Sequence, residues 1–398
     1  MHSKFCFYFQ AFLNAWNAMC GAEGNFPTLV VPAGKTFLLG PVIFEGPCKS
    51  KSPHVSLLGN LIAPRMSAWA SSDKSQWLQF SQVNGLIVDG QGQVDGQGKQ
   101  WWECERAYKS DDMKVQPSNY DNHDVIGCKV RPTSLSLHAC NNTRLSGITS
   151  INSPRNHLSI NEVHGAIISY VNLTAPGDSP NTDGIDISAS SYIQIEHSFI
   201  GTGDDCVAMN SGTSFINITN VACGPGHGIS VGSLGKKWDR RHSRRGTCEK
   251  LYIQWNDKRC QDKDISDAFS CSIKILFLIV FLQAGTGYVR NISFDQITFD
   301  DVQNPILIDQ YYCPHNQCQS GGSSNIQVSN VSYTEVHGST AELVAISLNC
   351  SSSVPCYNIF MDGVNIVANN LGSTTFSTCA NAQGKSISTK PGVPCLAT

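Results

Sequence analysis

The stretch YIQIEHSFI, Tyr192 to Ile200, returns 23 residues later as FINITNVAC, Phe215 to Cys223. In both, β-branched residues alternate with polar ones: Ile193 and Ile195, then Ile216 and Ile218. A further apolar residue follows five positions on, Ile200 in one case and Cys223 in the other. Alternation of period two marks strands. The pattern recurs at Ile292/Phe294, Ile326/Val328 and Ile359/Met361, with Gly, Asn, Asp and Ser between to make the turns. A recurrence of about 20 to 25 residues points to a solenoid. The expected fold is therefore all-β: a right-handed parallel β-helix whose coils stack at about 4.8 Å.

A stack has open ends that need covering. Phe9, Phe12, Leu13 and Trp16 are spaced as one face of a helix, with Gly21 placed to stop it. A helix over about 8–20 should therefore cap the first coil. A Cys-rich tail over about 350–398 should staple the other end. The whole chain, 1–398, then reads as one elongated domain.

Charge and composition narrow the function. The 398 residues carry 28 Lys plus Arg against 31 Asp plus Glu, a net charge of -3. That balance argues against a nucleic-acid partner or a basic membrane binder. The longest apolar run, ILFLIVFL at Ile275 to Leu282, is far short of the ~18 residues a spanning helix needs. Seventeen cysteines suggest disulfides formed in an oxidising compartment. Close candidates are Cys206 with Cys223, Cys313 with Cys318, Cys350 with Cys356, and Cys379 with Cys395. No CxxC occurs, which argues against zinc. Sequons begin at Asn141, Asn172, Asn217, Asn291, Asn330 and Asn349 and fit a glycosylated secreted protein. The opening MHSKFCFYF offers no clear cleavage site, so a signal peptide is apparently missing from the chain as given.

Three short motifs carry chemistry: NTD at Asn181 to Asp183, GDDC at Gly203 to Cys206, and GHG at Gly226 to Gly228. Asp183, Asp205 and His227 are spaced by 22 and again 22 residues, one repeat each. Equal phase in successive coils stacks them on one face. Asp and Asn in solenoid turns often only satisfy backbone donors, but three ionisable motifs in register exceed that role. Clustered carboxylates push one of their number toward protonation, and a held proton beside ionised partners suits acid/base hydrolysis. Calcium could also neutralise three carboxylates. His227 and the lack of a fuller oxygen cluster argue against a metal.

The segments SPNTDGIDIS, IGTGDDCVAMNSG, CGPGHGISVGSLG and NPILIDQYYC together resemble the plant polygalacturonases, inverting glycoside hydrolases built on a right-handed β-helix. The resemblance runs from about Ala11 to the terminal VPCL. It implies hydrolysis of α-1,4-galacturonosyl linkages in pectin or polygalacturonate, by a secreted, wall-located and monomeric protein without metal or cofactor. It implies Asp204 as general acid, Asp183 and Asp205 as the pair activating water, and His227 as their support. Asn181, Gly226, Gly228 and Tyr312 fall to the substrate-binding positions, with Tyr311 as the alternative within the YY pair. Rung spacing of about 5 Å is nearer the ~5–5.5 Å carboxyl separation of retaining enzymes than the ~6.5–9.5 Å of inverting ones. The resemblance nevertheless implies inversion, since rung spacing fixes backbones and not carboxyl groups.

One segment departs from the family. Its Arg-Ile-Lys tripeptide, which binds substrate carboxylates, falls here on Leu278, Ile279 and Val280. The surrounding 238–282 is expected to lose the ladder. A real insertion could bring new cations, as Lys236 to Arg245 is basic and Lys274 lies near; a basic run is more often a solvated loop. FLIVFLQ at Phe277 to Gln283, and CFYFQ at Cys6 to Gln10, also have the composition of translated intron ends. A pectin-binding protein with impaired catalysis is the alternative function that this departure raises.

Overall fold

The computed structural model describes residues 2–69, 75–109, 130–234, 246–254, 277–281, 286–312, 324–370 and 372–397. They fall into two compact units: Met1–Asp186 with Ser198–Asp205, and Ile187–His197 with Cys206–Thr398.

The first unit opens with helix α1, His2–Cys20, which begins before the expected cap. Trp16, Met19 and Cys20 are buried while Asn14, Ala15 and Asn17 face solvent, so one stripe docks, as the apolar spacing predicts. The Trp16 ring lies 5.1 Å from Phe44 and 5.5 Å from Phe80, and its indole N–H donates to the Glu45 carbonyl at 3.0 Å. A buried indole gains most when its one donor is matched in this way. The Cys20–Cys48 disulfide, which spacing alone did not suggest, ties the end of α1 to the first coil.

Beyond α1 the unit is a ladder of short parallel strands. Leu29, Val55, Val88, Leu145 and Ile168 stand in register along one row. Phe37, Leu61, Val94, Ser150, Leu173 and Ile200 form a second. These row members are buried apart from Phe37, while their neighbours along each strand are more exposed; hydrophobic alternation thus becomes one continuous core. A second helix, α2 (Lys99–Lys109), is inserted between Val88 and Leu145, with Trp101, Trp102, Cys104 and Glu105 buried.

The second unit repeats the device. Ile216, Leu251, Ile292, Val331 and Ile359 share one row, and Ile218, Ile253, Phe294, Tyr333 and Met361 the next. Phe294 and Tyr333 stack at 4.9 Å. Two expectations are corrected here. Ile326 and Val328 pair with Gly287 and Val289, not with Ile292 and Phe294, so they are out of phase with the other pairs. The ladder also continues inside 238–282. Strand Gly246–Gln254 pairs on both sides, with Thr213–Cys223 and Thr286–Val302, and strand Phe277–Phe281 pairs with Gly228–Leu234 and Ile306–Asp309. The buried Ile253 and Ile279 keep their two separate rows. The tail likewise adds rungs at Cys356–Asp362, Asn365–Ala368, Phe376–Ala380 and Ala382–Ile387. Of the expected disulfides, Cys206–Cys223, Cys350–Cys356 and Cys379–Cys395 form. The suggested Cys313–Cys318 pair lies outside the described residues, as do Lys236 to Arg245 and Lys274.

Asn291, Asn330 and Asn358 occupy the bend of three successive coils, all left-handed with φ of 59°, 54° and 55°. Asparagine tolerates that region better than other side-chain-bearing residues. Their amides form a ladder: Asn330 Nδ2 donates to Asn291 Oδ1 at 2.9 Å, and Asn358 Nδ2 to Asn330 Oδ1 at 2.7 Å. Two of these are sequon residues, so the turn role explains their presence without a glycan. Asn330→Ala loses both bonds and puts an alanine in the left-handed region. We expect a loss of about 2 kcal/mol, read as a lower denaturant midpoint.

Candidate active site

The SPNT turn is knitted by its own hydroxyls. Ser179 Oγ and Thr182 Oγ1 are 2.6 Å apart, Thr182 Oγ1 donates to the Ser179 carbonyl at 2.9 Å, and Gly203 N donates to Thr182 Oγ1 at 3.0 Å. The next coil can settle this low only because residue 203 is glycine: a Cβ there would sit 1.9 Å from the Ser179 carbonyl oxygen. Gly184 N then donates to Asp205 O at 2.8 Å, which seats Asp183 beside the GDD turn. The 22-residue step thus brings Asp205 back beside Asp183.

Four of the residues singled out by sequence meet in this unit. Asn181, left-handed at φ 48°, donates through Nδ2 to Asp204 Oδ2 at 3.2 Å. Asp204 Oδ1 accepts the Asp205 amide at 2.9 Å, and carboxylate oxygens of Asp204 and Asp205 come within 4.8 Å of one another. Asp183, Asp204 and Asp205 are each half-buried at the surface of the coil. Burial raises the pKa of Asp183 well above the usual carboxylate range, and the charges of Asp205, Asp204 and Asp186 add to this while Arg155 opposes it. The other sequence-derived residues belong to the second unit. Gly226 is half-buried, His227 exposed, and Gly228 buried with φ 80° at the start of strand Gly228–Leu234; Tyr312 is exposed and Tyr311 half-buried.

A raised carboxyl pKa is a stability statement. Below about pH 3.9, the unfolded value, Asp183 is protonated in both states and adds no penalty. As pH rises from there toward its folded value the native state is progressively penalised, and above that the penalty is complete. Asp183→Asn should therefore melt higher than the parent at pH 7, with the difference closing toward pH 3. Thermal melts across that range check it; a lower melting temperature at pH 7 would contradict it.

Sequence reasoning passed over two residues around this cluster, Arg131 and Glu105. Arg131 is buried and reaches the Asn181 Oδ1 at 3.5 Å, and Glu105 is its ion-pair partner. Neither falls in the repeat phase: Arg131 precedes a strand and Glu105 sits on α2. The one available signal was their charge, in a chain with only 15% charged residues.

A parallel β-helix presenting clustered carboxylates on adjacent turns suits acid/base chemistry, and comparison with known proteins supplies the class and the family. The signature of the glycosyl hydrolases family 28 matches residues 20–389, and the chain belongs to that family. It is 39% identical over 391 residues to a probable polygalacturonase of Arabidopsis thaliana, covering 97% of this chain and 76% of that protein. It is 35% identical over 381 residues to an exopolygalacturonase of Zea mays, covering 94% and 83%. Among solved structures, the endo-xylogalacturonan hydrolase of Aspergillus tubingensis superposes with a TM-score of 0.69 at 22% identity, over 89% of this chain and 88% of the other. The fold is the right-handed parallel β-helix of the pectin-degrading enzymes.

Proposed function

We propose that this glycoside hydrolase cleaves α-1,4-galacturonosyl linkages of polygalacturonate, the backbone of pectin, in the plant cell wall. The observation that carries the reading is the trio Asp183, Asp204 and Asp205 brought together on adjacent turns. Polygalacturonase names among relatives at 35–39% identity support the substrate. Among the described residues no helix is long and apolar enough to cross a membrane.

Asp204, held between the Asn181 amide and the Asp205 backbone, gives its proton to the glycosidic oxygen. Asp183 and Asp205 take a proton from the attacking water; a raised pKa makes Asp183 a stronger base once ionised. His227, Gly226, Gly228, Asn181 and Tyr312 contact the sugar or support the acid. Attack by water on the face opposite the leaving group inverts the anomeric centre. Reducing-end release from polygalacturonate by the full chain tests the reading, with proton NMR of the first product: the β-anomer is expected. Retained binding without release of reducing ends would instead identify a pectin-binding protein.

A further inference from the structure

Beside the three carboxylates lies a buried cation. The Arg131 guanidinium, 6% exposed, forms an ion pair with Glu105, Nη1 to Oε2 2.6 Å, and its Nη1 donates to the carbonyls of Pro154 at 3.0 Å and Pro180 at 2.6 Å. Nη2 reaches the Asn181 Oδ1 at 3.5 Å, and the same amide passes its own donor to Asp204. Glu105, Arg131, Asn181 and Asp204 thus form one chain of contacts from helix α2 to the carboxylate cluster. A planar guanidinium with several fixed donors can hold a carboxylate, two carbonyls and an amide at once, which an ammonium cannot. A cation this deep also has an electrostatic reach that solvent does little to screen.

We propose that Arg131 is a positioning residue for the acid/base carboxylates: anchored by Glu105, it fixes the Asn181 amide on Asp204 and faces Asp183 as a buried cation. This rests on the reading of those carboxylates as the acid/base machinery. The charged groups facing Arg131 are Glu105, Arg155, Asp183 and Asp204, and those facing Asp183 are Asp205, Asp204, Asp186 and Arg155. Arg131 therefore stands between a structural anion on α2 and the functional anions of the coil. Burial disfavours its charge, and Glu105 leads the opposing anions that restore it. Removing the cation should raise the proton affinity of Asp183, whereas removing Glu105 should lower it, and a positioning role should in addition lower kcat more than it changes KM.

The experiment is a ¹³C titration of aspartate carboxyl carbons in the full chain, with Asp183 assigned through its Asn variant. In Arg131→Gln, Asp183 should titrate higher than in the parent. In Glu105→Gln it should titrate lower. The pH profile of kcat should move in the same directions, with KM for polygalacturonate altered less than kcat. If Arg131→Gln does not fold, Glu105→Gln alone decides, because it keeps the guanidinium and its carbonyl bonds. Unmoved carboxyl titrations in a folded Glu105→Gln protein overturn the proposal. The titration needs no turnover, so a parent chain that released no reducing ends would sink the proposed function and leave this test intact.

Discussion

Asp204→Asn should lower the rate of polygalacturonate hydrolysis by at least a hundredfold with the fold preserved. General acid catalysis contributes about 10²–10⁴-fold, and an amide has no proton of comparable acidity to give the leaving oxygen. The fold is spared because asparagine keeps an acceptor for the Asp205 amide, the bond that Asp204 Oδ1 makes at 2.9 Å. Its volume is also nearly unchanged. Initial rates of reducing-end release, with melting temperatures measured in parallel, give the comparison. Activity within a few-fold of the parent would remove Asp204 from the mechanism. The parent's own pH profile should favour mildly acid conditions. On the acid side Asp183 becomes protonated and cannot act as base, at a pH higher than an ordinary aspartate would require because its pKa is raised.

Leu278→Arg combined with Val280→Lys should raise kcat/KM on polygalacturonate by about ten- to a hundredfold, mainly by lowering KM. Leu278 stands in the ladder beside Ser230 and Leu307, and Val280 beside Asp309, so the chain already supplies a rung at the place where the family carries its cations. The buried Ile279 between them holds the middle position of the tripeptide. Each sugar of the polymer bears a carboxylate, and a hydrogen bond to a charged group contributes about 1.5–3 kcal/mol. One such gain is tenfold or more in affinity. The effect should shrink as salt rises, since the added contacts are ionic. Two outcomes would refute this account: a parent that turns over rapidly at low substrate, or a double variant no better than the parent. Should the parent be fast, Arg240→Ala, Arg241→Ala, Arg244→Ala and Arg245→Ala together would test whether that basic run takes the clamp's place.

Strand alternation and the 22–23-residue step were readable in the chain because a parallel solenoid is local in phase. Each coil repeats the pattern of the last, and the buried row at Ile216 and Ile218 announces itself by β-branched residues at period two. The helix over Phe12 and Trp16 was readable for the same reason, as one face of a helical period. Asp183 and Asp205 are one repeat length apart, with Asp204 beside them in the GDDC motif, and the family likeness attached roles to them. Phase was lost wherever a coil grew. Val88 and Leu145 are 57 residues apart yet adjacent in register, and the row at Ile292 continues at Val331 rather than Ile326. Spacing cannot survive insertions of unequal length; backbone hydrogen bonding between coils does. For that reason the apolar 277–281 segment, which looked foreign in sequence, takes its place as a rung: the ladder needs a strand and a buried residue at 279, and is indifferent to what flanks it. The tertiary structure alone brought Arg131 and Glu105 to the carboxylates. A buried ion pair depends on how α2 packs against the segment at Arg131, and no periodicity of the chain encodes that.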